Sequence, residues 1–387
     1  MDLFSTSWNP GVGWSTPFPP LDGAKTLVLA FGSSSLADDP TPLRELCAAF
    51  PSSTVIGCSS AGEILGDTVG DDSLVVSVVR FEHTRVCLVS EQMTDAGESY
   101  DVGLSVAKRL AAREPELRTI FVVSDGLQVN GSLLVAGLAV GAGTDVIITG
   151  GLAGDGDRFA RTWVLVDGEP RSGYVSAVGL AGPRIRVTTG SGGGWDIFGP
   201  KRLVTRSQNN ILLEVDGQPA LELYKKYLGE RAAGLPATAL LFPLAIWSPG
   251  APDRRLVRTI LAVDEAAQSM TFAGDVPVGS TVQLMRASLD RLIDGASEAA
   301  VRNATDLPPG SLTVAVSCVG RRLILGGRTE EELEATVSAL PPESHLVGFY
   351  SYGEIAPIVT GTCDLHNQTM TLASFWEAAD GDTGVDE

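Results

Sequence analysis

The chain reads as a mixed α+β protein: repeated β-α-β units, with parallel and antiparallel strands mixed in the sheets of two domains. Two observations predict this. One is a phrase that occurs twice. Gly57-Cys58-Ser59-Ser60-Ala61-Gly62-Glu63-Ile64 aligns without gaps on Gly348-Phe349-Tyr350-Ser351-Tyr352-Gly353-Glu354-Ile355. Each copy follows an apolar strand, a helix, a proline break and a short strand: 26–31, 42–50, Pro51 and 54–58 in the first, and 312–318, 330–340, Pro341-Pro342 and 345–349 in the second. The other observation is that many apolar runs lie next to each other across short turns. Residues 74–81 with 85–89, 162–166 with 174–180, and 256–263 with 269–273 read as antiparallel pairs.

The elements follow in order. Residues 1–23 are rich in Pro, Gly, Ser and Trp and read as an irregular arm, with Trp8 and Trp14 packing it onto the body. A first domain covers 24–215. In it Thr41 is placed to N-cap, Pro42 suits the first helical position, and Leu43, Leu46, Cys47 and Phe50 form one apolar face. A third, weaker copy of the unit has a strand at 119–124, a helix at 132–141 and a strand at 145–149. It ends in Gly150-Gly151-Leu152-Ala153-Gly154-Asp155, with Gly-Asp in place of Gly-Glu. The second domain, 216–377, opens with a turn at 216–220 and a helix through Tyr227 that stops at Gly229. Thr329-Glu330-Glu331-Glu332 fits a capping box for a helix with Leu333, Val337 and Leu340 on one face. Residues 378–387 read as an acidic disordered tail.

Composition narrows the function classes. A length of 387 residues fits two domains, and 44% hydrophobic with 19% charged residues suits a folded protein. A net charge of −19 argues against nucleic acid and anionic membrane as partners. The five cysteines are odd in number and lack CxxC spacing, so neither a disulfide framework nor a zinc site is expected. The longest apolar stretch, 133–143, is too short to span a bilayer, and no apolar run follows Met1. A cytoplasmic location is the expectation.

The stretches 56–64, 150–156, Gly194-Trp195, 216–220, 224–229, Phe242-Pro243-Leu244, 317–322, 348–357 and 366–371 together resemble the FIST family, an N-terminal FIST domain followed by a FIST_C domain. The resemblance covers residues 24 to 377. It implies a cytosolic signal-input protein that binds a small ligand, amino acids being the class usually proposed. It also admits a haem-based gas (nitric oxide) sensor that regulates a histidine kinase. The chain shows no output module, so signalling needs a separate protein partner.

The candidate ligand-binding residues cluster at the exits of the repeated units: Cys58, Ser59, Ser60, Gly62 and Glu63; Gly154 and Asp155; Cys318, Arg321 and Arg322; Tyr350, Ser351, Tyr352, Gly353 and Glu354; and His366 with Asn367. Loops 57–64 and 348–355 are expected to face one cleft. There Glu63 and Glu354 would hold an ammonium group, or else cap backbone N–H groups. Arg321 or Arg322 would fork a carboxylate, or else pair with the 330–332 glutamates. His366 would ligate haem iron, oriented by Asn367 or a carbonyl, or else bond a loop. Without haem, no cofactor or metal is expected.

The alternative from another class is an enzyme acting on an amino-acid-like substrate through Cys58 or the loop serines. Gly-x-Ser-x-Gly fails in both copies, because Cys58 and Phe349 stand two residues before the serines. There is no Gly-x-Gly-x-x-Gly after a strand and no P-loop. The expectation is therefore a binding protein and not an enzyme.

Overall fold

The computed structural model describes residues 1–359 and 362–379; residues 380–387 of the expected tail lie outside the described residues. Their strands form four sheets of seven, six, six and eight strands.

Three of these sheets are built on the three repeated units. Strand Thr26–Ser33, helix Thr41–Ala49 and strand Thr54–Ser60 form the first, with parallel pairing from Leu27↔Thr54 to Ser33↔Ser60. Strand Leu117–Ser124, helix Gly131–Ala142 and parallel strand Ile147–Leu152 form the second. Strand Leu312–Cys318, helix Thr329–Ala339 and parallel strand His345–Ser351 form the third, with a short helix, Val319–Leu325, inserted after its first strand. One aromatic from each unit meets in the shared core. Phe31 stacks on Phe349 at 4.6 Å and meets Phe121 edge-on at 6.4 Å. Valines, leucines and isoleucines of all three sheets pack around them.

The two parts of the chain interlock. Strand Glu63–Leu65 pairs with His345–Ser351, Gly353–Val359 pairs with Ile147–Leu152, and Ile185–Gly192 pairs with Met370–Glu377. Strands from either side of residue 216 therefore complete the same two sheets. The eight-stranded sheet, from 196 to 286, has its own core around Leu212, Tyr224 and Phe272. Helix Ala220–Leu228 packs there and ends at Gly229, whose φ of +58° is the conformation a C-terminal glycine supplies.

Two of the expected hairpins do not form. Leu74–Arg80 pairs with Asp2–Asn9 and Thr26–Ser33, whereas Arg85–Gln92 pairs with Tyr174–Ala181 in a different sheet. Val164–Val166 pairs with Glu169–Arg171 and Thr54–Ser60, not with Tyr174–Ala181. These short turns cross from sheet to sheet. Leu74–Arg80, Val164–Val166 and Tyr174–Ala181 are almost wholly buried, so their apolar runs carry no sign of which neighbour they pair with. The third pairing forms in part, Ile260–Asp264 with Ser269–Phe272; the preceding strand, Ala251–Arg258, pairs with Leu244–Ser248.

The N-terminal arm is not irregular. Asp2–Asn9 is a strand, in register with Leu74–Arg80 over its first seven residues. Trp8, Trp14, Phe18 and Leu21 do pack on the body, and Trp14 Nε1 donates to Glu45 at 2.9 Å. Neither expected cap forms. Pro40 occupies the N-cap of the first helix, and Thr41 bonds back to Asp39. Thr329 donates its hydroxyl to the Gly326 carbonyl, and Glu332 turns inward.

Candidate functional site

The exits of the three units converge. Gly154 N donates to Ser59 O at 3.0 Å, Ala61 N to Tyr350 O at 2.8 Å, Tyr350 N to Gly62 O at 2.9 Å, and Tyr352 N to Leu152 O at 3.2 Å. The structure thus brings loops 57–64 and 348–355 together, with 150–156 beside them. A cleft of about 530 Å³ opens at this junction. It is lined by Ala61, Asp71, Gly156, Asp157, Arg158, Arg322 and Leu323, with Gly326, Gly327, Thr329 and Glu330 from the start of helix Thr329–Ala339.

Both signs of charge line it. The Arg322 guanidinium forks the Asp71 carboxylate, Nη1 to Oδ1 at 2.8 Å and Nη2 to Oδ2 at 2.7 Å. Its Nη1 also donates to Ala61 O at 2.5 Å, and the guanidinium sits 5.6 Å from the centre of the Tyr350 ring. Gly62 makes this possible: its φ is +142°, and a Cβ there would fall 2.6 Å from Arg322 Nη1. The Arg322 bonds hold the Asp71 carboxyl below the usual carboxylate range. Arg158 donates to Ser34 Oγ at 3.1 Å and keeps most of its side chain in solvent. Asp157 and Glu330 make no ion pair among the described residues.

Several expected site residues point elsewhere. Glu63 and Glu354 do not face the cleft. Glu63 Oε2 accepts from Ser73 N at 3.2 Å and Ser73 Oγ at 2.7 Å; Glu354 Oε2 accepts from Thr369 N at 3.1 Å and Thr369 Oγ1 at 2.8 Å. Both carboxyls are buried, and burial pushes each up to about 8 against the pull of these hydrogen bonds. Arg321 is wholly buried. It donates to the carbonyls of Gly193 at 2.6 Å and Leu292 at 2.7 Å and pairs with Glu332 at 3.3 Å, so both Nη atoms are engaged inside the core, away from the cleft.

The loop side chains build the junction. Ser59 Oγ accepts from Trp163 N, Ser60 Oγ accepts from Gly62 N at 2.8 Å, and Ser351 Oγ donates to Glu354 at 2.9 Å. Asp155 accepts from the N–H groups of Ala160 and Arg161 and from the Tyr352 hydroxyl, and Tyr352 stacks on Phe159 at 4.4 Å. Gly353 lies in a strand opposite Leu152, and Tyr350 lies buried beneath Arg322. Cys58 and Cys318 are sealed in the core, where burial raises both thiols far above their ordinary range.

His366 and Asn367 do not line the cleft. The His366 Nε2 lies 3.0 Å from the Ala356 carbonyl, and burial lowers its pKa to about 4. Asn367 Nδ2 donates to His366 O. A haem ligand needs a ring nitrogen aimed into a space that admits the macrocycle. His366 has that nitrogen tied to backbone inside a packed strand pair, so these residues do not fit the group. Among the described residues, no cluster of three His, Cys, Asp or Glu side chains could hold a metal ion.

Sequence reasoning missed Asp71, Asp157, Arg158, Gly326, Gly327 and Glu330. The signals were present: an Asp71-Asp72 turn, charges directly after the third Gly-Asp, and a Gly-Gly pair before a helix.

Interlocked sheets of mixed parallel and antiparallel strands, around a junction of repeated exit loops with a polar cleft beside it, define a mixed α+β fold. The chain matches the FIST N domain over residues 26–218 and the FIST C domain over 220–357, and it belongs to the FIST family. FIST domains are associated with sensory signal transduction and small-ligand binding. No curated protein matches the chain. Among solved structures it is similar to a chorismatase, at 10% identity and a TM-score of 0.38 over 97% of this chain and 98% of that one. It is more distantly similar to a cyanuric acid hydrolase from A. caulinodans, at 12% identity and a TM-score of 0.18 over 76% of this chain and 100% of that one. Likeness at these levels says nothing of activity.

Among the described residues no helix is long and apolar enough to cross a membrane.

Proposed function

We propose that the protein is a cytoplasmic sensory module that binds a small zwitterion, first of all an amino acid, in the cleft where the unit exits meet. It passes the signal to a separate protein such as a histidine kinase. The observation that carries this reading is the pairing of both charge signs around one cleft of about 530 Å³, a volume within the range of small-molecule sites. Arg322 and Arg158 suit a carboxylate. Asp157, Glu330 and Asp71 suit an ammonium group. A ligand here touches Ala61 at the first exit, Gly156 at the second, and Val319 and Arg322 on the helix inserted in the third unit, so binding bears on how the interlocked sheets sit together. The reading is of a binder and not of a catalyst. The sequence's candidate nucleophile, Cys58, is sealed away from the cleft, and Ser60 and Ser351 are engaged in the loops they support.

The test is a melting-curve panel of the twenty amino acids on the wild type and Arg322→Ala. A bound amino acid at a hundredfold excess over its Kd adds about 2.7 kcal/mol. The expected result is a rise with one or a few members of the panel, lost in the variant. No rise with any of them sinks the reading.

A further inference from the structure

The Arg322–Asp71 pair fills part of the cleft with charges of its own. We propose that Asp71 is a specificity-determining residue that stands in for the ligand's carboxylate on Arg322, and that it admits only ligands able to satisfy both partners once the pair opens. This rests on the reading of the cleft as a zwitterion site.

The geometry supports a stand-in. The Asp71 carboxylate meets both Nη atoms of Arg322 at 2.8 and 2.7 Å, the two-point grip that a ligand carboxylate would take. The two ends of the pair are held unequally. Arg322 is about one-fifth exposed and fixed by the Ala61 carbonyl and the Tyr350 ring. The Asp71 side chain is 72% exposed, and Arg322 is the one residue it bonds among the described residues. Asp71 is thus the end free to move, while the guanidinium stays in place.

The turn that carries Asp71 is anchored on its far side. Glu63 holds Ser73 by its N–H and its hydroxyl, and Ser33 Oγ donates to Asp72 Oδ1 at 3.2 Å. Asp72 takes a φ of +53°, a left-handed conformation that aspartate, like asparagine, adopts more readily than most residues. Asp71 can therefore leave Arg322 without carrying the turn away.

The consequence is selection by charge. A ligand carboxylate that takes the Arg322 fork leaves Asp71 without a partner beside a second anion, and like charges this close repel. A ligand that also carries an ammonium group within reach offers Asp71 a new partner. A bare carboxylate offers none, and a bare amine cannot open the pair. The pair thus rejects single-charge analogues by leaving one of its own members unpaired, which is discrimination through a penalty on the wrong ligand.

The experiment compares three probe sets on the full chain by calorimetry: the amino acids, the matching carboxylic acids lacking the amine, and the matching amines lacking the carboxylate. The proteins are the wild type and Asp71→Asn, with Arg322→Lys as a second variant that keeps the charge and loses the fork. Hydrogen exchange across 68–74 reports the turn in each. The expected result is that the wild type prefers an amino acid over its deaminated acid by at least tenfold. In Asp71→Asn that ratio falls to within about threefold, through tighter binding of the acid. Exchange across 68–74 stays at the wild-type level in both variants, because Glu63 and Ser33 hold the turn without the pair. A ratio unchanged in Asp71→Asn, or exchange across 68–74 that rises in both variants, overturns the stand-in while leaving the cleft as the ligand site. If no probe binds the wild type, the zwitterion reading of the cleft fails and the stand-in falls with it.

Discussion

Glu63 and Glu354 stand at the same place in two repeats, and one carboxyl oxygen of each accepts from both the N–H and the hydroxyl of a distant residue, Ser73 for one and Thr369 for the other. The repeated Gly-Glu is thus a device for pinning a distant segment to a unit exit. Ser73 belongs to the turn that presents Asp71 to the cleft. Thr369 closes the segment that carries His366 and Asn367. The glutamates shape the site without entering it.

Burial sets the pH response of these two carboxyls. Each sits at about 8 when folded, against about 4.3 in an unfolded chain. Between those values the folded state keeps a proton that the unfolded state has lost. Their contribution to stability is therefore fully present below about pH 4.3 and falls as the pH rises to 8, by at most about 1.4 kcal/mol per pH unit for each group. Urea unfolding at pH 5.5, 7 and 8.5 should show a midpoint that drops with pH. The double variant Glu63→Gln with Glu354→Gln, which cannot ionise, should show a flatter profile. Equal slopes in the two proteins would count against buried, proton-holding glutamates.

Gly57, Gly150 and Gly348 open the repeated phrases, and their role is close packing. A Cβ at these positions would lie 2.1, 1.8 and 1.9 Å from the carbonyl oxygens of Ala30, Val122 and Ala315 on the first strand of the same unit. Backbone must shift to admit a methyl group. Gly57→Ala and Gly348→Ala should each cost about 1–3 kcal/mol in chemical denaturation, the usual range for overpacking. Gly23→Ala, where a Cβ meets nothing within 4 Å, should stay within about 0.5 kcal/mol of wild type.

The units and their order were legible because each combines a short continuous apolar strand, a helical stretch and a second strand that runs into a glycine-containing exit. The pairing of strands was not. Leu74–Arg80 and Tyr174–Ala181 are buried on both faces, so nothing in them marks a partner, and a short turn after such a strand serves a crossover as well as a hairpin. Asp2–Asn9 was hidden because its serines and threonine lack apolar alternation; it is recruited by the open edge of Leu74–Arg80. At the site, Arg322 was legible as a carboxylate partner, but adjacent Arg321 read the same way. Only the fold shows that one turns into the core and the other out to the cleft. Asp71 and Arg158 come from segments remote in sequence, so no local spacing joins them.

The thiols give a simple check on the enzyme alternative. Cys58 and Cys318 are buried with raised pKa values, whereas Cys47, Cys87 and Cys363 are partly exposed. Brief alkylation of the native protein followed by mass spectrometry should leave Cys58 and Cys318 unmodified until denaturant is added. Rapid labelling of Cys58 in the folded state would reopen its reading as a nucleophile.

Two adjacent arginines should separate stability from binding. Arg321 holds the backbone carbonyls of Gly193, Leu292 and Gln368, and pairs with Glu332, in a space closed to solvent. Removing one member of a buried pair leaves the other charged and unpaired, at a cost of about 3–5 kcal/mol. Arg321→Ala should lose about that much in urea unfolding. Arg321→Lys should recover little, because a single ammonium cannot reach carbonyls and carboxylate arrayed around a planar fork. Arg322 makes its ion pair with a carboxylate that is 72% exposed, where such pairs are worth about 1 kcal/mol or less. Arg322→Ala should therefore unfold within about 1 kcal/mol of wild type yet lose the amino-acid-dependent rise in melting temperature. At temperatures where Arg321→Ala is still folded, that variant should retain the rise, since its side chain never reaches the cleft. The reverse pattern, a stable Arg321→Ala that no longer responds to the amino acid, would place the carboxylate site at the buried arginine and refute the cleft.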